Sequence, residues 1–323
     1  MSSVNKAELI ERLKEGKTLS DEELKLLFSG EFYDNKQMQQ IREDLEKGLD
    51  VSKYIVLNKD DMLVYGYEQM WQIHWGLEEG VDVDKYTVLN KDGKPVYDCE
   101  EMSQICEGLK NGVDVSKYTV LNKDGKLVYN YYQMIEIRYG LEKNLDVSKY
   151  TVLNKDGRPV YDYYQMRQIC YGLENGVDVS KYTVLNQNGK PVYHSSQMHQ
   201  IRYGLEAGVD VSMYTVLNKD GKPVYDCDQM FAIREGLEKG LDVSIYAILD
   251  KDGEPVYDWE QMGQILAGLE KGEDISYLLV HDTDEPEAMR TVNHNSSSLC
   301  ADDISDDIDE TSVSNDYDMQ QEA

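Results

Sequence analysis

Residues 133–150 read QMIEIRYGLEKNLDVSKY, and this pattern of residues returns along the chain with a fixed period of 32. A Gln-Met pair, or Glu-Met in one copy, marks each return. The eight methionines are Met38, Met70, Met102, Met134, Met166, Met198, Met230 and Met262. A constant period of this length is typical of proteins built from stacked repeats. The sequence therefore predicts eight copies of one unit between residues 31 and 280.

The first half of each unit has the pattern of a capped amphipathic helix. Asp98 and Glu101 form a capping-box pair, and Met102, Ile105 and Leu109 follow on one helical face. The residues that end the eight helices are Gly48, Gly80, Gly112, Asn144, Gly176, Gly208, Gly240 and Gly272. Glycine or asparagine at one position is what a left-handed cap at a helix end favours.

The second half of each unit reads as a short turn followed by a β-hairpin. Residues 114–118 have the form of a single capped turn, and Asp124-Gly125 then separates two short apolar runs, which is a strong hairpin signal. Five second strands begin with proline, which suits an edge strand. We therefore predict an α+β fold: a tandem-repeat solenoid of eight helix–short turn–β-hairpin units, each too small to bury its apolar face alone.

A glycine interrupts the middle of seven of the eight predicted helices. These residues are Gly76, Gly108, Gly140, Gly172, Gly204, Gly236 and Gly268, and Asp44 takes the position in the first copy. Because a glycine inside a helix costs about 1 kcal/mol, its repetition implies a packing reason. We expect a neighbouring repeat to approach the helix backbone at this point.

The two ends of the chain differ from the repeats. Residues 1–30 are expected to form an N-terminal helical cap of two short helices, the second opening at a Ser20/Glu23 capping box. Residues 281–323 contain 13 acidic residues and one basic residue, and they are predicted to be disordered. This acidic tail could bind a partner or keep the protein in solution, and the second interpretation is favoured.

Composition excludes some classes of partner. The formal charge of −29 repels nucleic acid and anionic membranes, and no basic patch stands out. No apolar run reaches the ~18 residues of a transmembrane helix, and the N-terminus has no signal-peptide core. The five cysteines lack CxxC spacing, which favours reduced thiols and a cytoplasmic protein.

Three patterns invite chemistry, and each has a simpler interpretation. Asn-x-Asp-Gly resembles part of a calcium loop but has too few acidic ligands and no closing glutamate, so a turn is preferred. Cys99 and Cys106 have no histidine nearby in sequence, which favours packing over a zinc site. The five histidines occupy unrelated repeat positions. The sequence therefore predicts no enzyme activity, no cofactor and no metal.

Two helix positions beside the core stripe vary between copies while the surrounding pattern does not. They are the residue after each methionine and the residue four later. Trp, Tyr and Arg dominate protein interfaces, so we predict a protein-binding face here, with packing between repeats as the alternative. The residues assigned to the face are Trp71, Trp75, Ile135, Tyr139, Arg167, Tyr171, His199, Tyr203 and Phe231.

The string Gln133–Tyr150, with Asn144 in place of one glycine, resembles a repeat of uncharacterised proteins from anaerobic gut bacteria. The resemblance covers residues 31–280. Many of those proteins belong to mobile genetic elements, so the resemblance implies a repeat architecture and a mobile-element context. It implies no particular activity.

From these observations we expect a non-enzymatic scaffold that binds another protein of unknown identity, without direct nucleic-acid or membrane contact. The alternative is an acidic nucleic-acid mimic that inhibits a DNA-acting host or defence protein. Against it, DNA carries one charge per ~1.7 Å, which is a denser charge than that of the repeats. A scaffold should lose its partner on Trp75→Ala or Tyr171→Ala and tolerate salt. A mimic should release its partner steeply as salt rises.

Overall fold

A computed structural model describes residues 6–14, 17, 19–27, 35–60 and 62–279. The chain divides into two compact units, Met1–Cys170 and Tyr171–Ala323, which we call the N-terminal unit and the C-terminal unit. The predicted cap at residues 1–30 is described in part. The predicted disordered tail at residues 281–323 lies outside the described residues.

Within the described residues the regular secondary structure consists of α-helices and 3₁₀ turns. The α-helices are α1 (Lys6–Lys14), α2 (Asp21–Leu27), α3 (Asn35–Glu46), α4 (Tyr67–Glu78), α5 (Cys99–Lys110), α6 (Tyr131–Glu142), α7 (Tyr163–Glu174), α8 (Ser195–Glu206), α9 (Cys227–Glu238) and α10 (Trp259–Lys271). The 3₁₀ turns that follow α3 to α10 are Val51–Lys53, Val83–Lys85, Val115–Lys117, Val147–Lys149, Val179–Lys181, Val211–Met213, Val243–Ile245 and Ser276–Leu278. Helices α3 to α6 pack in sequence order in the N-terminal unit, as do α8 to α10 in the C-terminal unit.

The predicted β-hairpins are wrong. No strand or sheet forms in the residues described, so the fold is helical, with repeated helical units packed in tandem, rather than α+β. Each expected hairpin contains a single antiparallel residue pair, such as Leu89 opposite Pro95. Two hydrogen bonds flank this pair, from Val96 N–H to Val88 O (2.9 Å) and from Asn90 N–H to Lys94 O (2.8 Å).

Local chemistry stops this pairing from extending into strands. Proline is not the cause, because Leu121 opposite Leu127 forms the same single pair without it. The Thr87 N–H donates to Val83 O of the preceding 3₁₀ turn (3.0 Å), so it is already used. On the other side, Asp98 caps the next helix only three residues after Pro95. Because both flanks are committed to helices and turns, one residue pair remains between them.

The glutamine of the Gln-Met pair joins neighbouring repeats. Gln133 Oε1 accepts from the Asn130 N–H at the start of α6 (3.1 Å), which confirms the predicted capping box. Its Nε2 donates to Tyr161 O of the next repeat (2.9 Å). The same bond between repeats is made by Gln37, Gln69, Gln197 and Gln229. One side chain therefore caps its own helix and fixes the position of the next repeat.

The mid-helix glycine makes room for a tyrosine of its own repeat, so the expected approach of a neighbouring repeat is wrong. Tyr118 is fully buried, and its hydroxyl donates to Gln104 O in the helix that precedes it (3.0 Å). A Cβ atom on Gly108 would collide with that hydroxyl oxygen. The same contact occurs at Gly76, Gly140, Gly172, Gly204 and Gly236. The sequence pattern predicted a close contact with the helix backbone at this glycine. It did not predict that a tyrosine of the same repeat makes that contact.

The helix ends and the start of the second cap helix agree with the sequence. Gly112 has a φ of +73°, and Asn144 has a φ of +56°, so both take the left-handed conformation expected of the cap. At the start of α2, Ser20 and Glu23 exchange the two hydrogen bonds of the predicted capping box. Helix α1 packs against α2 and against the first 3₁₀ turn.

Candidate functional site

The residues assigned to the predicted binding face differ widely in exposure. Phe231 is exposed (43%), whereas Arg167 is buried (6%). The half-buried members are Trp71, Trp75, Ile135, Tyr139, Tyr171, His199 and Tyr203. The set therefore mixes side chains that a partner could reach with side chains that serve the interior.

Cationic side chains cover several of these rings. In the N-terminal unit, Lys110 Nζ lies 5.5 Å from the centre of the Trp75 ring, and Lys143 Nζ lies 5.3 Å from the centre of the Tyr139 ring. A cation over an aromatic face is attracted by the negative face of the ring and contributes roughly 0.5–1 kcal/mol at exposed sites. Lys110 belongs to the helix after Trp75, so this contact also joins two repeats.

In the C-terminal unit the predicted face is an alternating column of guanidinium groups and rings. The Arg202 guanidinium lies 5.5 Å from the Tyr171 ring centre and 4.3 Å from that of Tyr203. The Arg234 guanidinium lies 5.6 Å from the Tyr203 ring centre and 5.2 Å from that of Phe231. These rings hold neighbouring helices together, which is the packing alternative for this part of the face.

Arg167 belongs to a buried ion pair instead of a surface. Its Nε lies 2.9 Å from Glu136 Oε1, and both side chains are almost inaccessible. Burial raises the pKa of Glu136, while the charge of Arg167 acts in the opposite direction. Removing one partner of such a pair typically costs about 3–5 kcal/mol, because an uncompensated charge stays buried. Arg167 therefore links α7 to α6.

Four tyrosines at the first turns of α6 and α7 form a continuous cluster, which we call the tyrosine patch: Tyr131, Tyr132, Tyr163 and Tyr164. Tyr132 and Tyr164 are exposed (52% and 38%), and the other two are half-buried. Tyr132 stacks on Tyr163 with ring centres 4.9 Å apart, and Tyr163 lies 3.8 Å from Tyr164. Tyr131 meets Tyr132 edge-on at 5.3 Å. The patch is a connected aromatic surface with two rings open to a partner.

Sequence reasoning missed Tyr132 and Tyr164, although a signal was present. Both lie two residues before the repeat methionine. The residues at this position in the other six copies are Lys36, Glu68, Glu100, Ser196, Asp228 and Glu260. Because the position is polar elsewhere, the fold does not require an aromatic ring there. Two tyrosines in successive copies therefore point to a role other than folding.

Two of the four tyrosines in the patch, Tyr131 and Tyr163, have raised pKa values. Burial raises the pKa of Tyr163 to about 12, and its contact with Tyr164 acts in the same direction. Burial also raises the pKa of Tyr131, and the negative charge of Glu100 adds to the effect. The hydroxyls of Tyr131 and Tyr163 therefore stay protonated near neutral pH and can donate hydrogen bonds.

A separate buried cluster joins α3 to α4. Asp44, which is fully buried, accepts from the Tyr54 hydroxyl (2.6 Å) and from Gln40 Nε2 (2.8 Å), and it lies 2.7 Å from His74 Nδ1. Burial alone would raise the pKa of Asp44, but the hydrogen bonds from His74, Tyr54 and Gln40 outweigh it and lower that pKa. His74 Nε2 lies 3.2 Å from Glu78 Oε2. The cluster fastens the first two repeat helices to each other.

Charged side chains are arranged differently on the helices and on the turns. Helix cations pair with carboxylates of the same or a neighbouring helix, as in Arg138–Glu142 (2.6 Å) and Lys110–Glu79 (3.0 Å). The exposed cations on the turns of the N-terminal unit include Lys91, Lys94, Lys123, Lys126, Lys155 and Arg158. The surface is therefore a mixture of both signs, despite the acidic total.

No protein-family model, curated protein or solved structure matches this chain. The resemblance to gut-bacterial repeats stays a prediction. Among the residues that the structure describes, no three histidine, cysteine or acidic side chains come together as a possible metal site. Each α-helix in the described part of the chain is too short or too polar to cross a membrane.

Proposed function

We propose that this chain is a non-enzymatic scaffold whose repeated helical units bind another protein, with the tyrosine patch at the centre of the contact. The observation that carries the proposal is the exposure of Tyr132 and Tyr164 at a position that is polar in the other repeats. Tyrosine is enriched among the residues that dominate interfaces, because its ring buries a large apolar area while its hydroxyl can still form a hydrogen bond.

The half-buried rings of the predicted face have a secondary part in this proposal. Trp75, Tyr139 and Tyr171 each carry a cation from the chain over one ring face, which supports packing. Their remaining exposure leaves room for contact at the edge of an interface. We therefore expect Trp75→Ala or Tyr171→Ala to weaken partner binding less than changes in the tyrosine patch do.

The nucleic-acid mimic gains less support. A mimic needs a dense and uniform negative surface, whereas several helix carboxylates here are paired with cations and the turns expose lysines. A mimic should also bind through charge alone, so exposed tyrosines would add nothing to its affinity.

The proposal is tested by capturing partners from a lysate of an anaerobic gut bacterium, identifying them by mass spectrometry, and measuring the affinity of the purified partner. We expect a partner that survives high salt and is lost when Tyr132 and Tyr164 are both changed to serine. Serine occupies this position naturally at Ser196, so the double variant keeps the scaffold. The matched control is Tyr277→Ser, which removes another exposed tyrosine (77%).

Other outcomes would redirect the assignment. A partner that ignores the double variant but is lost on Trp75→Ala or Tyr171→Ala would move the site to the predicted face. Capture of DNA-binding proteins that wash off as salt rises would favour the mimic and contradict the scaffold proposal.

A further inference from the structure

Both kinds of cation lie over tyrosine rings in this chain, Lys143 in the N-terminal unit and arginines in the C-terminal unit. In the C-terminal unit, Arg202 lies over the rings of Tyr171 and Tyr203, while its Nη1 pairs with Glu206 Oε1 (2.7 Å). Arg234 repeats this arrangement one repeat later between the shared Tyr203 ring and Phe231, and it pairs with Glu238. The recurrent combination is an aromatic face, a guanidinium group and a carboxylate.

The tyrosine patch offers two of these three components on its surface. The exposed rings are those of Tyr132 and Tyr164. Exposed carboxylates accompany them: Asp162 directly precedes Tyr163 in the chain, and the charge of Glu100 acts on Tyr131. A guanidinium from outside would complete the combination found in the C-terminal unit.

The guanidinium groups beside the tyrosine patch already have partners within the protein. Arg138 donates to Gln104 Oε1 (2.9 Å) and pairs with Glu142 (2.6 Å). Arg167 pairs with Glu136 (2.9 Å), and both arginines are buried. Their charges therefore offset carboxylates at the helix–helix contacts and leave the exposed Glu100 to a partner, while the exposed Asp162 carboxylate also caps α7 by accepting from the Gln165 N–H (2.8 Å).

We propose that the tyrosine patch binds an arginine-bearing segment of a basic partner, with guanidinium groups stacked on the exposed rings. This inference rests on the proposed function and specifies the chemistry of the partner. The formal charge of −29 attracts a basic segment toward the surface. Arginine suits the rings better than lysine, because its planar and weakly hydrated guanidinium stacks on aromatic faces while it pairs with a carboxylate.

The experiment titrates the full chain with an acetylated and amidated peptide of alternating glycine and arginine, followed by fluorescence anisotropy. Peptides of the same length with lysine or glutamate in place of arginine are the comparison probes. We expect the arginine peptide to bind several-fold more tightly than the lysine peptide, and the glutamate peptide to show no binding. Changing both Tyr132 and Tyr164 to serine should weaken arginine-peptide binding about tenfold.

Two kinds of variant separate ring stacking from general attraction. Changing both tyrosines to phenylalanine should retain binding, because the ring face and not the hydroxyl meets the cation. Glu100→Gln should weaken binding several-fold, whereas Glu260→Gln, at the same repeat position in α10, should leave it unchanged. Tyr277→Ser should also leave it unchanged. Circular dichroism of each variant checks that the helices are intact.

Equal affinity for the arginine and lysine peptides would overturn the inference, as would an affinity that the serine variant does not change. Both results would indicate attraction of any cation to an acidic surface. If the captured partner still depends on Tyr132 and Tyr164 while the arginine peptide does not, the partner chemistry is wrong and the binding function stands. If neither depends on these tyrosines, the proposed function fails as well.

Discussion

The first and second repeats differ at the helix position that faces their buried tyrosine. In the second repeat, Gly76 leaves space for the buried Tyr86, whose hydroxyl donates to the backbone oxygen of Gln72 (3.1 Å). In the first repeat, Asp44 takes the glycine position, and its carboxylate accepts from the hydroxyl of Tyr54 (2.6 Å). The position under the tyrosine must therefore either hold no side chain or supply the acceptor itself.

The difference extends to the helix that packs against each position. Asp44 lies 2.7 Å from His74 in α4, whereas the residue equivalent to His74 in α5 is the buried Cys106. Cysteine behaves as a small apolar residue and needs no ionic partner. The first interface thus uses the polar pair Asp44 and His74, whereas the next interface uses Gly76 and Cys106 at the two equivalent positions.

The largest loss of folding stability is expected for Gly76→Ala. The new Cβ would collide with the Tyr86 hydroxyl and would lie 3.0 Å from Val83 Cγ1. Because Tyr86 is fully buried, its ring has no free space to move into. We expect a loss of roughly 4 kcal/mol from strain and a broken hydrogen bond, which exceeds the ~1 kcal/mol gain in helix propensity.

Urea unfolding followed by circular dichroism measures this loss. The matched control is Gly80→Ala just past the end of the same helix, which has a left-handed φ of +69° but no atom within 4 Å of a new Cβ. It should cost only about 1 kcal/mol of backbone strain. Equal losses of stability for Gly76→Ala and Gly80→Ala would show that Tyr86 can move away from a new Cβ. The first and second repeats would then not differ in the way described.

A slightly smaller loss is expected when the first repeat is given the glycine of the next. Asp44→Gly leaves His74 and Gln40 without their buried acceptor. The Tyr54 hydroxyl can still donate to the backbone oxygen of Gln40, as the Tyr86 hydroxyl does to that of Gln72. We expect a loss of about 3 kcal/mol. Adding His74→Cys removes the stranded ring and should restore most of the stability.

The double variant Asp44→Gly/His74→Cys tests whether the two residues act as a pair. His74→Cys alone should also destabilise the protein, because it leaves the Asp44 carboxylate buried without the imidazole that lies 2.7 Å from it. The double variant should then be more stable than either single variant. If the two single losses simply add in the urea midpoints, Asp44 and His74 do not act as a pair.

Lowering the pH should reduce the stability of the wild type more than that of the double variant, which lacks Asp44. Burial alone would raise the pKa of Asp44, but hydrogen bonds from His74, Tyr54 and Gln40 lower it. A carboxyl group with a lowered pKa in the folded state contributes stability above its unfolded value of about 4, and this is lost as pH falls through the folded value. Thermal unfolding below about pH 4 should therefore narrow the gap between the wild type and Asp44→Gly/His74→Cys. A gap that stays constant through this range would contradict the role of Asp44.

The helices could be predicted from the sequence because their signals lie within one repeat. The capping box at Asp98 and the left-handed Gly112 both act over a few residues. The strands could not be excluded, because an Asp-Gly turn says nothing about how far a ladder extends. Its length here is limited by the 3₁₀ turn that ends just before Thr87 and takes its N–H, and by the helix cap at Asp98 three residues after Pro95.

The candidate site was harder to predict because exposure depends on neighbouring repeats. The ring of Tyr171 is covered by Arg202 of the next helix, and Arg167 is buried by its contact with Glu136 one repeat earlier. Neither partner is adjacent in sequence. Tyr132 and Tyr164 were within reach of the sequence, since a comparison of the eight copies position by position separates them from the polar residues found elsewhere.

A gain of about 1 kcal/mol is expected for Glu101→Gln. Burial raises the pKa of Glu101, and the nearby Asp98 and Glu100 charges add to this, so its carboxylate destabilises the fold at neutral pH. In the equivalent position Gln133 donates to the next repeat, at Tyr161 O (2.9 Å), and a carboxylate cannot make that bond. A raised folded-state pKa means that this penalty fades as pH falls and Glu101 takes up a proton.

The gain from Glu101→Gln should appear in the urea midpoint at neutral pH and shrink in acid. The reverse change, Gln133→Glu, should cost a similar amount, and this gives the matched control. A neutral-pH gain that persists unchanged in acid would show that the charge of Glu101 is not its cause.

The smallest effect is expected at the helix end that departs from the repeat. Asn144 is the only non-glycine residue of the described chain with a positive φ (+56°), and the other seven helices have glycine there. Asparagine tolerates this conformation better than most residues, and glycine loses more entropy on folding, so Asn144→Gly should stabilise the protein by only about 0.5 kcal/mol. The reverse change, Gly112→Asn, should lower stability by a similar amount in the same urea assay. If Asn144→Gly instead destabilises the fold, the asparagine side chain makes a contact that outweighs the backbone, and the α6 end is then a distinct feature of the N-terminal unit and not a tolerated variant of the common cap.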